Sequence, residues 1–141
     1  MRLEKIKLME DKDGRKTWEL EAKSINQYQE QNIILLEEVR VKYYSRDGRV
    51  ISISGDRGKI HEDSKDIELV GNVILNSSDG YSMKTNSISY EHSSKKVRTQ
   101  DLVEIEGKQI HIEGKGLWID MEGKKFKILS DVKTQWKRGK G

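Results

Sequence analysis

The sequence predicts an all-β protein, a long antiparallel meander folded over into a twisted sheet that stays open at its ends. Three observations predict it. Apolar and polar residues alternate along most of the chain, the signature of strands with one buried face. Turn-forming clusters recur about every 16 residues. A unit of about 30 residues repeats, and each copy breaks its apolar row at the same place.

The turns come first in the argument because they delimit everything else. They are DKDG at 11–14, QEQN at 29–32, RDGR at 46–49, EDSK at 62–65, SSDG at 77–80, HSSK at 92–95, EGK at 106–108 and EGK at 122–124. Asp-Gly pairs supply the positive φ angles of tight hairpins. Between the turns lie KTWELEA, IILLEEVRVKYY, VISISGDRGKIHE, IELVGNVIL, YSMKTNSISYE, VRTQDLVEIE, QIHIEGKGLWIDM and FKILSDVKTQW. LLEEVRVKYY comes nearest to a helical pattern, but its β-branched and aromatic content favours a strand. These arms are about twice the usual strand length, so they are expected to bend or bulge.

The repeat shows where. Residues 55–75, 85–105 and 114–134 align without gaps at offsets of 30 and 29, and a degenerate copy covers roughly 22–41. Each copy is a strand, a polar turn and a second strand, with Lys65, Lys95 and Lys124 closing the turn. In IELVGNVIL the apolar row Ile67, Leu69, Val73, Leu75 is interrupted at Gly71. Gly71 aligns with Asp101 and Ser130, and with Glu37 in the early copy. Four interruptions in phase mark the point where each arm passes from one sheet layer into another.

Composition sets the scale. The 141 residues fit a single domain spanning 1–141, with 33% hydrophobic and 36% charged residues, so the core should be thin. There is no cysteine, and hence no disulfide or thiol chemistry; there is no proline. The net charge of +3 reads as a solvated mixed surface, with a more basic tail around Lys137, Arg138 and Lys140. No stretch approaches the ~18 apolar residues of a membrane span.

Taken in order, KTWELEA, VRVKYYSRDG, ISGDRGKI, IELVGNV, SSDGYSMKTNSISY, VRTQDLVEI and IEGKGLWIDM resemble the LptC family of lipopolysaccharide-export proteins. The resemblance runs from about Asp13 to Trp136. It implies an LptA/OstA-like β-jellyroll. It implies a periplasmic domain held to the inner membrane by an N-terminal helix, for which this chain has no counterpart; a native N-terminus is expected to have preceded MRLEKIKL. It implies that lipopolysaccharide is received from an inner-membrane ABC transporter and passed to the bridge protein LptA. It also implies head-to-tail pairing of like domains by their edge strands, a route open to self-association as well.

A lipid carrier needs an apolar trough rather than a reactive group. The alternation offers Trp18, Leu20, Leu35, Val41, Ile53, Ile60, Ile67, Leu69, Val73, Leu75, Met83, Ile88, Tyr90, Val103, Ile105, Leu117, Ile119, Phe126 and Ile128 as its lining, with Ile33, Val39, Val97, Ile112 and Val132 in the same phase. Burying acyl chain is worth about 0.8 kcal/mol per CH₂, so roughly ten methylenes would supply about 8 kcal/mol. The same residues would equally pack on one another as a plain core. Lys42, Arg49 or Lys84 are candidates for phosphates at the rim.

The expected partner edges are Leu3–Met9, with Lys5 and Lys7, and Asp131–Trp136, with Val132, Lys133 and Thr134. An open edge presents unpaired N–H and C=O groups that template another chain, and lysines there select against wrong partners. By resemblance the first edge faces the transporter and the second faces the bridge protein.

Enzymatic readings are poorly supported. His61, His92 and His111 show no HxH or HExxH spacing, and there is no GxSxG, P-loop or GxGxxG. Glu37 and Asp101 are the two carboxylates on the apolar-phase row, but bends account for them. No catalytic residue, metal or cofactor is assigned. Nucleic-acid binding would need aromatic platforms among the basic residues, and aromatics are only 6% and dispersed. The competing function is a parallel β-solenoid that binds or degrades polysaccharide, for which Asp-Gly hairpins are unsuited.

Overall fold

The computed structural model describes residues 11–12, 15–16, 18–28, 32–121 and 125–136. It is all β. A short hairpin of β1 (Asp11–Lys12) and β2 (Arg15–Lys16) precedes eight long strands. These are β3 (Trp18–Tyr28), β4 (Ile33–Tyr44), β5 (Val50–His61), β6 (Asp66–Ser77), β7 (Ser82–Glu91), β8 (Lys96–Glu106), β9 (Ile110–Asp120) and β10 (Lys125–Trp136). They form one antiparallel sheet in the order β10-β9-β8-β7-β6-β5-β4-β3. Every hydrogen-bonded neighbour in the sheet is therefore a neighbour in sequence. Among the described residues the expected strands and turns are recovered within a few residues, except that β3 runs on to Tyr28; the turns expected at 11–14, 29–32 and 122–124 lie wholly or partly outside them. The parallel solenoid is overturned: Leu75 lies opposite Met83, and Asn76 opposite Ser82, on the two sides of the Asp79–Gly80 turn.

The turns use the expected chemistry. Gly48 and Gly80 take φ of 92° and 102°. Lys65 and Lys95 also adopt positive φ, 63° and 57°, and Lys65 donates its N–H to the His61 carbonyl at 2.7 Å. The lysines thus close their turns in a left-handed conformation. Lys124 lies outside the described residues.

Each long strand crosses a crease near its middle, and the sheet folds on itself there. One layer holds 18–22, 39–44, 50–55, 73–77, 82–85, 103–106 and 110–114; the other holds 33–36, 58–61, 66–70, 88–91, 96–99 and 117–120. The strands cross in two ways. β6, β8 and β10 each carry an extra residue, seen as register shifts at Val70/Val73, Thr99/Leu102 and Ser130/Lys133. These are the predicted interruptions around Gly71, Asp101 and Ser130. β4, β5, β7 and β9 instead reverse which parity of residue faces inward.

β4 corrects two expectations. Its register with β3 and β5 has no shift at Glu37, so the early copy is not a bulge. Glu38 takes φ 49°, and Glu37 and Glu38 both turn to solvent. Burial consequently switches from Ile34 and Leu36 to Val39, Val41 and Tyr43. Leu35 and Ile33, expected inside, are only half-buried on the other face, and Glu37 is exposed rather than in the apolar row.

Packing at the crease is tight. A Cβ on Gly58 would lie 2.9 Å from Val39 Cγ2, across the fold. Gly71 has φ 90°, and a Cβ there would meet Asp56 Oδ2 at 2.8 Å. Asn72 donates its side-chain amide to the same Asp56 oxygen at 2.9 Å. Gly71→Val should therefore lower stability by about 1–3 kcal/mol through backbone strain and the clash with Asp56. Urea denaturation checks this; an unchanged midpoint would refute the strain argument.

Candidate functional site

The interior between the two layers is the first candidate. Of the predicted lining, Trp18, Leu20, Val41, Ile53, Ile60, Ile67, Leu69, Val73, Leu75, Met83, Ile88, Val103, Ile105 and Leu117 are buried in one cluster, as are Val39, Val97 and Ile112. Tyr90, Ile119 and Ile128 are partly buried against it. Phe126 departs from the expectation, being 45% exposed because β10 has no outer neighbour to cover its inward row. Ala22, Ile34, Leu36, Tyr43, Ile51 and Met121 complete the cluster and were missed. The parity reversal in β4 hid Ile34 and Leu36, whereas Ala22, Tyr43 and Ile51 keep the phase of their predicted neighbours Leu20, Val41 and Ile53. Gly55, buried in the row Ile51, Ile53, Gly55, was the available signal.

The middle of the interior is filled. Between Trp18, Val41, Tyr43 and Ile53 of one layer and Ile67, Leu69, Ile88 and Tyr90 of the other, only about 20 Å³ is free. Space of that size holds about one water and no acyl chain. Towards the strand tips the space widens to a cleft of about 180 Å³. There Ile51, Leu75, Met83 and Ile105 oppose Ile119, Met121 and Phe126, with Arg49, Asp79 and Lys125 at the rim.

Arg49 does not stand free at that rim. Its Nε is 3.0 Å from Asp47 Oδ2, and its Nη2 donates to the Met121 carbonyl at 3.2 Å. Met121 is buried, and its N–H donates to the Lys95 carbonyl at 2.9 Å. The turn after β4 is thereby tied across the cleft to the end of β9. Lys42 and Lys84, the other two rim candidates, point outward and are exposed.

The second candidate is the edge. Among the described residues β10 is paired on one side only, and Asp131, Val132, Thr134 and Trp136 are all exposed. Val132 is 53% and Trp136 74% exposed, large apolar groups on an edge strand. The expected N-terminal edge, Leu3, Lys5, Lys7 and Met9, lies outside the described residues. β3 is the opposite end of the sheet among those described.

Ionisable groups gather in pairs rather than in a reactive centre. Among the described residues no three His, Asp or Glu side chains converge on a metal position. His61 Nε2 lies 3.1 Å from Glu68 Oε2. Asp101 is half-buried and accepts a hydrogen bond from Ser87 Oγ. His111 sits between two carboxylates, with Glu113 Oε1 3.0 Å from Nε2 and Glu106 Oε1 against Nδ1. No helix among the described residues is long and apolar enough to cross a membrane.

An apolar interior within a folded sheet that ends, among the described residues, in an edge strand defines a β-jellyroll carrier or scaffold module rather than a catalyst. The chain belongs to the LptC-related family of lipopolysaccharide-assembly proteins, whose model matches residues 3–137. It is a non-enzymatic component of lipopolysaccharide transport, of a family that faces the periplasm. Among solved structures it is similar to LptH, described as the LptA-homologous periplasmic component of the conserved lipopolysaccharide transport device from Pseudomonas aeruginosa. That similarity has a TM-score of 0.66 at 13% identity, covering 84% of this chain and 93% of LptH, and it concerns the fold. No curated protein matches at the sequence level.

The two carboxylates beside His111 raise its pKa above 6.5, through hydrogen bonds from the ring to Glu113 and then to Glu106. Because the folded value is the higher one, its contribution to stability is complete below pH 6.5 and is lost as pH rises through the folded value. An NMR titration should give a His111 midpoint above 6.5, and Glu113→Gln should bring it down. A midpoint unmoved by that change would refute the assignment.

Proposed function

We propose that this domain binds lipopolysaccharide and hands it from an inner-membrane ABC transporter to a periplasmic bridge protein. An N-terminal helix preceding the described residues would hold it to the inner membrane. The reading is carried by one observation: the apolar interior continues onto the exposed inward row of β10, so lining and partner edge form one surface.

On this reading the acyl chains lie between the layers and the polar head stays outside. The free space of about 20 Å³ in the middle is far too small for an acyl chain, so the layers must part. The cleft at the tips, bridged by Arg49 and Met121, is where parting would begin. Each methylene taken in offsets separation by about 0.8 kcal/mol. The transporter supplies the drive and the domain supplies a path. At the far end, β10 extends the sheet by pairing with an edge strand of the bridge protein, and Val132 and Trp136 become buried between the two domains.

Photocrosslinking to lipopolysaccharide tests the interior. Photoreactive residues at Leu69 and Ile119 should crosslink, and those at Glu68 and Asp120, their outward neighbours, should not. Crosslinks at neither pair in folded protein would leave a packed core and refute acyl binding between the layers. For the edge, Trp136→Glu should weaken capture of the bridge protein roughly tenfold or more while leaving the melting temperature within a few degrees, because Trp136 is 74% exposed. Undiminished capture would remove β10 from the interface.

A further inference from the structure

We propose a second ligand position on the outer surface of the jellyroll, a cleft at the crease of β7 to β10 that takes a phosphorylated sugar. This deepens the reading of the domain as a lipopolysaccharide carrier by placing the polar head apart from the acyl chains. The cleft encloses about 860 Å³ and faces away from the core.

Its floor is a ladder across three strands. Arg98 of β8 and Lys127 of β10 both pair with Trp118 of β9. Neighbouring strands lie about 4.8 Å apart, so the backbone positions of Arg98 and Lys127 stand roughly 10 Å apart on either side of Trp118. Both are exposed, and neither has an ion-pair partner among the described residues. Lys96, beside the cleft, holds its Nζ 5.1 Å from the Trp118 ring centroid. Cations on the strands flanking an aromatic ring form a site for an anion carried on a flat or amphipathic group.

The other end of the cleft has the opposite character. There Asp101 accepts from Ser87 Oγ, and Gln100 projects into solvent beside them. A carboxylate, an amide and a hydroxyl provide acceptors and donors suited to sugar hydroxyls, while the carboxylate repels a phosphate. The site is thus polarised. A phosphate at Arg98 and Lys127, a ring against Trp118 and hydroxyls towards Asp101 satisfy every group, whereas a bare anion would leave the second end unused. The register shifts of β8 and β10 create the concavity, so the site is built by the same crease that folds the sheet.

The test is an NMR titration of the whole chain with three soluble probes that carry no acyl chain: a deacylated phosphorylated glucosamine disaccharide, glucosamine 1-phosphate and inorganic phosphate. The two sugar phosphates should shift the Trp118 indole N–H and the Gln100 amides, with inorganic phosphate clearly weaker. Tighter binding of the disaccharide than of glucosamine 1-phosphate identifies a glycolipid headgroup as the source, and equal binding identifies a free sugar phosphate. The double change R98Q/K127Q, both at exposed positions, should weaken binding roughly tenfold with an unchanged amide spectrum elsewhere; K84Q, on the other layer, should not. No shift at Trp118, undiminished binding by the double variant, or a response to inorganic phosphate as strong as to the sugars would overturn the proposal. These outcomes are independent of crosslinking at Leu69, so failure here leaves the interior reading standing.

Discussion

Everything in this structure follows from a constraint of parity. A strand alternates its side chains between two faces, and a sheet folded on itself needs the inner face to stay inner on both sides of the crease. The chain meets that need in two ways, alternating between neighbouring strands from β5 to β10. β6, β8 and β10 insert one residue and keep the same parity inward throughout, buried in β6 and β8 and largely exposed in β10. β5, β7 and β9 reverse parity, as β4 does. Without the Gly71–Asn72 pair and its positive φ angles, β6 would turn half its apolar row to water.

One sheet therefore supplies both walls of its own core. This explains how a chain that is only 33% hydrophobic can still bury a continuous cluster. Medium-sized aliphatic residues from two layers meet in the middle and need no third layer behind them. The arrangement also leaves two kinds of opening. The tips of the layers meet along a seam, where Arg49 reaches the Met121 carbonyl. Among the described residues the sheet ends at β10, where Phe126, Val132 and Trp136 are exposed. Both belong to a module whose interior and edges serve other molecules.

Most of the fold could be read from the sequence because its signals are local. Asp-Gly turns, lysine-closed turns and alternation fixed the strands, and the repeat revealed the crease at Gly71, Asp101 and Ser130. The inner face was harder to read. Leu35 was assigned inside because strict alternation was carried through Glu37, and positive φ at Glu38 is a property that glutamate does not advertise. Phe126 was assigned inside from its phase, which is correct, but burial also requires a neighbour that an edge strand lacks. Arg49 was proposed for phosphate because a basic residue after a turn looks available. Only the folded sheet brings Met121 within its reach. The ladder Arg98–Trp118–Lys127 was not visible at all, since those residues are adjacent only once three strands are in register.

The order of the strands has a further consequence. Because each strand pairs only with the one before and the one after it in the chain, every hairpin is complete once its own two strands exist. Loop closure is always short, so the entropy cost of each new pairing stays small and nearly constant along the chain. Such a meander can grow from any hairpin and zip outwards in both directions, with rates set by local contacts. It can also form progressively as the chain emerges, with β3 and β4 pairing before β10 exists. Among the described strands β10 is the last to be added, so the edge proposed for docking forms only when the rest of the sheet is already in place.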